Sequence, residues 1–513
     1  MSKFKTWFLL AFGTAGLSLA CHTILDPLGT TTQATADGLL PDASVVPGTF
    51  QHNIVFLSRQ HLYGRDGGLL DTRWMNDDGG VEAGDIGMLT TMRNRGITQL
   101  ALNTANINPD GALDFSSGKG AVRLFLKNVE QWEAANPTLE PFKILAWING
   151  AAWSTIDGGP TTDGSTATGC NSNKTSPIDA GPDADGGILT TPQCIWLEYV
   201  TGQDAAEPQA VNRATIAAQV SALTELCTTD CVNYAYDAGG ATTTTRAFDG
   251  VLFDIEPTGL ATGTTGSATF EGIKQTIIAT RAAIAAVHDN DAAPYKIGFT
   301  PPKYKEEANP SYWTTSQYYY MGKYLDFIVP MLYDTAYTDA GQYNEWLGAT
   351  DSGDAQSNQV ALIIDSVSGY KTGAAEPTRL PQVYFGMSAT QSFYHASSTH
   401  PIIHDALIEN TQASSDAIMA AIQRRVAGDS TNRFTKYLGG AAVYVQNTGF
   451  PCSIVVASLE YCQAQSSSMP NGLKLYEDYY ECTSNAGVYN SKICYHARQY
   501  DWDMWQQHWM GVY

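Results

Sequence analysis

The sequence predicts an α/β protein: a (β/α)8 TIM barrel with long loop insertions and a disulfide-stapled C-terminal segment. Three observations lead there. Eight short runs rich in β-branched and aromatic residues recur across roughly 400 of the 513 residues. Longer stretches with helical Ala, Ile and Leu spacing separate them, which implies parallel strands joined by helices. The fourth run ends in carboxylates and the sixth is followed directly by one, at the strand ends where such barrels carry their chemistry.

The expected strands are "NIVFLS" (53–58), "ITQLALN" (97–103), "FKILAWING" (142–150), "FDGVLFDIE" (248–256), "YKIGFT" (295–300), "LDFIVPMLY" (325–333), "PQVYFGMS" (381–388) and "GGAAVYVQ" (439–446). "QAVNRATIAAQVSALTEL" and "FEGIKQTIIATRAAIAAV" have the spacing of amphipathic helices. A doubly wound open sheet is the alternative. No GxGxxG follows an early strand, which argues against its dinucleotide-binding form.

The flanks differ in composition. Lys3 and Lys5 precede an apolar stretch from Trp7 to about Ala20, which reads as a bacterial signal sequence over 1–20. It ends Leu17-Ser18-Leu19-Ala20-Cys21, similar to a lipobox with Ser18 in the usual Leu place. The expectation is export, with lipidated Cys21 giving membrane attachment at the envelope surface; the alternative is plain secretion. Residues 21–50 read as a flexible tether. Residues 51–513 form the barrel, with a Gly-, Pro- and Thr-rich insertion at 154–205 and a closing segment at 451–513. That tail is expected to supply the last helix layer.

The chain carries 51 acidic against 29 basic residues, a formal charge of −22, with no basic cluster. Nucleic acid is therefore not an expected partner. Of nine cysteines, eight remain once Cys21 is set aside. Export favours disulfides, and sequence-local pairing gives Cys170–Cys194, Cys227–Cys231, Cys452–Cys462 and Cys482–Cys494. No CxxC occurs, and the histidines cluster neither with cysteine nor as HExxH, so no metal or cofactor is expected.

Side chains alternate along a strand. Leu252, Asp254 and Glu256 therefore share one face of the fourth run, and Val251, Phe253 and Ile255 the other. The first face points into the barrel. It sets Asp254 and Glu256 roughly 6–7 Å apart along the strand, with Glu256 nearest the C-terminal mouth. Two carboxylates in a partly dry cleft do not both ionise readily, which suits Glu256 to general-acid work. Strand-end acids bound to backbone amides or to an arginine are the structural alternative.

"DGVLFDIE" is similar to the DGxDxDxE signature of glycoside hydrolase family 18, the chitinases and endo-β-N-acetylglucosaminidases. "MLYD" (331–334) resembles that family's MxYD on the sixth strand. "KILAWING" and "LGGAAVYVQN" resemble its third and eighth strands. The resemblance implies a glycan substrate and assigns roles. Glu256 would protonate the glycosidic oxygen. Asp254 would orient the 2-acetamido group and stabilise the oxazolinium ion. Tyr333 would hydrogen-bond that group, and Asp334 would help bind the sugar. Asp249 matches the first Asp of the signature and is grouped with Asp334 among the expected substrate-binding residues. Tyr444 stands in place of a floor Trp, and Trp147 in place of a Ser; both are expected to bind substrate. The middle Asp of the signature is Leu252.

Weaker candidates follow other strands. Arg59 and His61 follow the first, Asn103 and Asn106 end the second, Lys303 follows the fifth, and His395, His400 and His404 follow the seventh. Two further functions stay open: a non-catalytic glycan-binding barrel, and a glycosidase using a conventional carboxylate pair with Asp334 as partner.

Overall fold

The computed structural model describes residues 52–57, 88–94, 96–108, 111–115, 119–151, 153–155, 193–195, 197, 204–206, 208–225, 247–256, 264–288, 295–305, 312–335, 337, 339–350, 357–388, 393–394, 402–404, 408–409, 411–429, 432, 434–445, 479–484, 492–497 and 509. The signal sequence, the tether and Cys21 lie outside them, as do Arg59, His61, His395, His400, Cys170, Cys227, Cys231, Cys452 and Cys462.

Eight parallel strands close on one another. They are β1 (Asn53–Leu57), β2 (Ile97–Ile107), β3 (Lys143–Ala151), β4 (Gly250–Glu256), β5 (Lys296–Phe299), β6 (Phe327–Ile328), β7 (Gln382–Ser388) and β8 (Leu438–Val445). Each pairs with the next in sequence, and β8 pairs back onto β1. The helices are α1 (Met88–Asn94), α2 (Lys119–Ala135), α3 (Pro208–Ala222), α4 (Thr264–Val287), α5 (Thr315–Gly322), α6 (Ala340–Leu347), α7 (Gln359–Val367) and α8 (Thr411–Ala427). One follows each of the first five strands and β7, and two follow β6. The expected barrel is thus observed, and the open sheet is excluded by the closing β1–β2 and β1–β8 pairs.

The alternation read in the fourth run holds. Val251, Phe253 and Ile255 are buried in the core between strands and helices. Leu252 is buried inside the barrel with Phe56, Leu145, Trp147, Phe327 and Ala442. Gly250 is required by packing: a Cβ there would lie 2.1 Å from the Lys296 carbonyl oxygen.

The sixth run departs from expectation. The 325–333 segment is ladder-paired only at Phe327–Ile328 because Pro330 has no N–H to give. Single bonds carry it onward: Val329 N to Phe299 O at 2.9 Å, Gly386 N to Pro330 O at 3.0 Å and Leu332 N to Gly386 O at 3.2 Å. Tyr333 therefore still emerges between β5 and β7. Beyond it, α6 starts on Asp339, whose carboxylate caps Gln342 N at 2.9 Å, and stops at Gly348 in the left-handed region.

Two peripheral ladders involve the expected insertion and tail. Trp153–Thr155 pairs antiparallel with Gln193–Ile195, so the segment between them leaves and returns at adjacent points. The tail corrects its expectation as a helix layer. Among the described residues it forms a hairpin, Tyr479–Ser484 with Lys492–Ala497, which joins strands 393–394 and 402–404 of the β7–α8 connection. Trp509 is fully buried; its indole N–H donates to Ser415 Oγ at 2.5 Å, and its carbonyl accepts from Asn53 Nδ2 at 3.0 Å.

The hairpin register sets Cys482 opposite Cys494. Opposed residues of an antiparallel ladder have Cα atoms about 4.5–5.5 Å apart, a span that suits a disulfide. We expect non-reducing peptide mapping to recover this pair. A free thiol at either position, or a cross-link to another cysteine, would exclude it.

Candidate functional site

The signature residues divide between the two ends of β4. Asp249 sits at the base. Its Oδ2 accepts from Ile144 N at 2.8 Å, its own N donates to Ile144 O at 2.8 Å, and Lys143 Nζ lies 3.9 Å from Oδ1. Asp326 repeats the device before β6: Oδ2 accepts from Ile297 N at 2.9 Å, and its N donates to Ile297 O at 2.9 Å. Each of these aspartates clips the start of the strand before it. Asp249 is five residues from Asp254, roughly 16 Å along a strand. Asp249 is thus engaged as a strand clip, well away from Asp254. Asp249→Ala should cost about 1–3 kcal/mol in urea unfolding, by stranding a backbone N–H. Turnover of the folded fraction should be unchanged; a large loss of turnover would return Asp249 to the site.

Asp254 lies at the other end, half-buried on the inner face. Strand β3 runs alongside with Trp147 opposite Leu252, Asn149 opposite Asp254 and Ala151 opposite Glu256. The Trp147 indole N–H donates to Asp254 Oδ2 at 3.0 Å. The Thr300 hydroxyl, just past β5, donates to Oδ1 at 2.5 Å. Burial pushes the Asp254 pKa above its ordinary value of 3.8, and the bonds from Thr300 and Trp147 oppose that rise. The backbone of Glu256 ends the strand, two residues nearer the mouth; its side chain lies outside the described residues.

An aromatic layer adjoins Asp254. Trp147 meets Phe56 edge-on at 5.2 Å and Tyr444 at 5.6 Å. Tyr444 and Tyr333 have parallel rings, 5.9 Å between centroids. Residues of β3, β4, β8 and the segment after β6 are thereby brought together. Trp147 is only 2% exposed, so it has no open face for a sugar. Its expected contact with substrate gives way to a contact with Asp254. Tyr444 is half-buried and keeps open surface.

The segment after Tyr333 is held by a residue that sequence reasoning missed. Glu409, fully buried beyond β7, accepts from Asp334 N at 2.6 Å, from Thr335 N at 3.0 Å and from the Thr335 hydroxyl. Asp334 has φ +57°, unusual for a residue with a side chain. Lys303, the weaker candidate that follows the fifth strand, donates to the Asp334 carbonyl. Tyr343 completes the support, bonding Leu332 O and Ser414 Oγ, each at 2.8 Å. Burial and then the nearby Glu409 charge raise its pKa, so the phenol stays a neutral donor. Nothing local in sequence points to Glu409, which is 75 residues from Asp334. Thr300 was legible in principle, as the polar end of an inner-facing strand.

No group of three or more His, Cys, Asp or Glu arranged to hold a metal occurs among the described residues. None of their helices is long and apolar enough to cross a membrane. No protein-family model and no curated protein matches the chain. Among solved structures, the chain is similar to the Bacillus cereus spore cortex-lytic enzyme SleL, at 12% identity and TM-score 0.34, over 79% of this chain and 74% of that one. It is similar to the catalytic domain of psychrophilic chitinase B from Arthrobacter TAD20, at 13% identity and TM-score 0.39, over 79% and 93%. It is also similar to a glycoside hydrolase family 18 N-acetylglucosaminidase from Paenibacillus barengoltzii, at 11% identity and TM-score 0.37, over 78% and 95%.

Proposed function

We propose that this protein is an exported glycoside hydrolase cleaving β-linked N-acetylglucosamine-containing glycans by substrate-assisted, retaining catalysis. One observation carries the reading. The inner face of β4 carries Asp254 near the barrel mouth, the strand ends two residues on at the backbone of Glu256, and Asp254 is gripped by donors from β3 and from just past β5. Glu256 protonates the glycosidic oxygen. The carbonyl oxygen of the substrate's own acetamido group attacks the anomeric carbon, so the chain needs no second nucleophile. Asp254 faces the positive charge that develops on the oxazolinium ring. Tyr333 donates to the acetamido group, Asp334 binds the sugar, and the open surface of Tyr444 stacks on it. The N-terminal charge and hydropathy order supports export, anchored through a lipidated Cys21 or otherwise secreted.

The test is purified protein against chitin oligosaccharides, peptidoglycan and an N-glycan core, each beside its de-N-acetylated form. At least one acetylated glycan should be cleaved and no deacetylated one. Equal cleavage of both forms would refute acetamido participation. Leu252, an apolar residue where the signature has Asp, favours one second reading, a glycan-binding barrel without turnover. Binding with no cleavage of any of the three would establish it.

A further inference from the structure

We infer that Thr300 and Trp147 are positioning residues that together do the work of the missing middle carboxylate, fixing Asp254 in one orientation and favouring its charged form over its neutral one. The inference rests on the glycosidase reading for its catalytic consequence, but not for its geometry. Each carboxylate oxygen of Asp254 has its own donor: Oδ1 the Thr300 hydroxyl at 2.5 Å, Oδ2 the Trp147 indole at 3.0 Å. The two donors come from opposite sides, β3 and the end of β5. A carboxylate bonded at both oxygens from both sides cannot rotate about its terminal bond without breaking one of them.

The donors are themselves fixed. Trp147 is wedged against Phe56 and Tyr444. Thr300 is 3% exposed, and its N donates to Phe253 O at 2.9 Å. Both are neutral donors, so they favour the charged form of Asp254 without sharing a proton with it. A second carboxylate at position 252 would instead compete for that proton. Leu252 removes the competition and packs as ordinary core. Among the described residues, β3 carries Trp147 and Asn149 beside Asp254, Thr300 follows β5, and β4 continues to the backbone of Glu256. Tyr333 and Tyr444 are phenols of the adjoining aromatic layer. Lys303 and Asp334 are charged groups on the following segments, and they are joined through the Asp334 carbonyl.

The experiment has two independent readouts. The Asp254 carboxyl is followed by 13C NMR against pH, its signal assigned by its loss in Asp254→Asn. In Thr300→Val, a change of nearly equal volume, one bond to the charged form is gone. Burial then acts with less opposition, and the carboxyl should titrate at higher pH than in the native protein. Thr300→Ser should restore the native titration, and Trp147→Phe should move it in the same direction as Thr300→Val. The second readout is the pH profile of turnover. Its acid limb should move upward in Thr300→Val, with activity on that limb reduced about tenfold and the plateau much less affected. Unchanged titration in Thr300→Val overturns the inference, whatever the activity. A shifted titration with an unmoved acid limb overturns its catalytic part. If the native protein cleaves no glycan, the functional reading fails, and the NMR titration still decides whether the clamp exists.

Discussion

Glu256→Gln should lower turnover by about 100-fold or more, while glycan binding survives, because general acid catalysis contributes on that order. Gln keeps the shape of Glu and cannot deliver a proton. The backbone of Glu256 is set by its pairing with Ala151 on β3, so the substitution does not disturb the strand. Kinetics on an acetylated substrate, together with calorimetric binding of an oligosaccharide, give the result. Full activity in Glu256→Gln would leave β4 as a strand with well-placed acids and no catalytic part. Asp254→Asn should also slow turnover, since a neutral amide holds a cation less well. Tyr333→Phe, losing one hydrogen bond, should cost less.

The second large effect is on stability. Glu409→Ala removes the acceptor for two backbone N–H groups and the Thr335 hydroxyl in a fully buried place. Each stranded donor costs about 1–3 kcal/mol, so a loss of about 3–5 kcal/mol is expected, offset in part by removing a buried charge. The left-handed Asp334 adds to the effect, since that conformation is unfavourable by about 1–2 kcal/mol and persists only while its surroundings impose it. The expected outcome is a lower denaturation midpoint, with faster proteolysis between Tyr333 and Asp339. Turnover should fall with it, because Tyr333 is carried on that segment. A midpoint within error of the native one would show that the three bonds do not hold the loop.

How much of this was legible in the sequence depends on the range of the interaction concerned. Strand positions and the inner face of β4 follow from a period-two alternation, so Leu252 and Asp254 could be placed on one side from the chain alone. The sixth strand was overextended because its apolar pattern runs through Pro330, whose missing N–H ends the ladder whatever the hydropathy. Asp249 was placed by a motif match, which does not say at which end of a strand a residue acts; the clip that it forms, and the matching one at Asp326, were visible only in three dimensions. Trp147 was expected to meet sugar, since a strand-end aromatic gives no sign of how deeply neighbours cover it. Glu409 left no trace, because its partners lie on another strand's loop. The tail was expected to supply the last helix layer, yet among its described residues "YYECTS" and "KICYHA" pair as strands.

The most direct measurement is 1H NMR of the first-formed product when purified protein cleaves a soluble β-linked N-acetylglucosamine oligosaccharide. The acetamido oxygen attacks opposite the leaving group, and water then enters from the face the leaving group vacated; these two inversions mean that the β anomer should appear first and mutarotate afterwards. Initial release of the α anomer would contradict substrate-assisted catalysis and favour an inverting carboxylate pair.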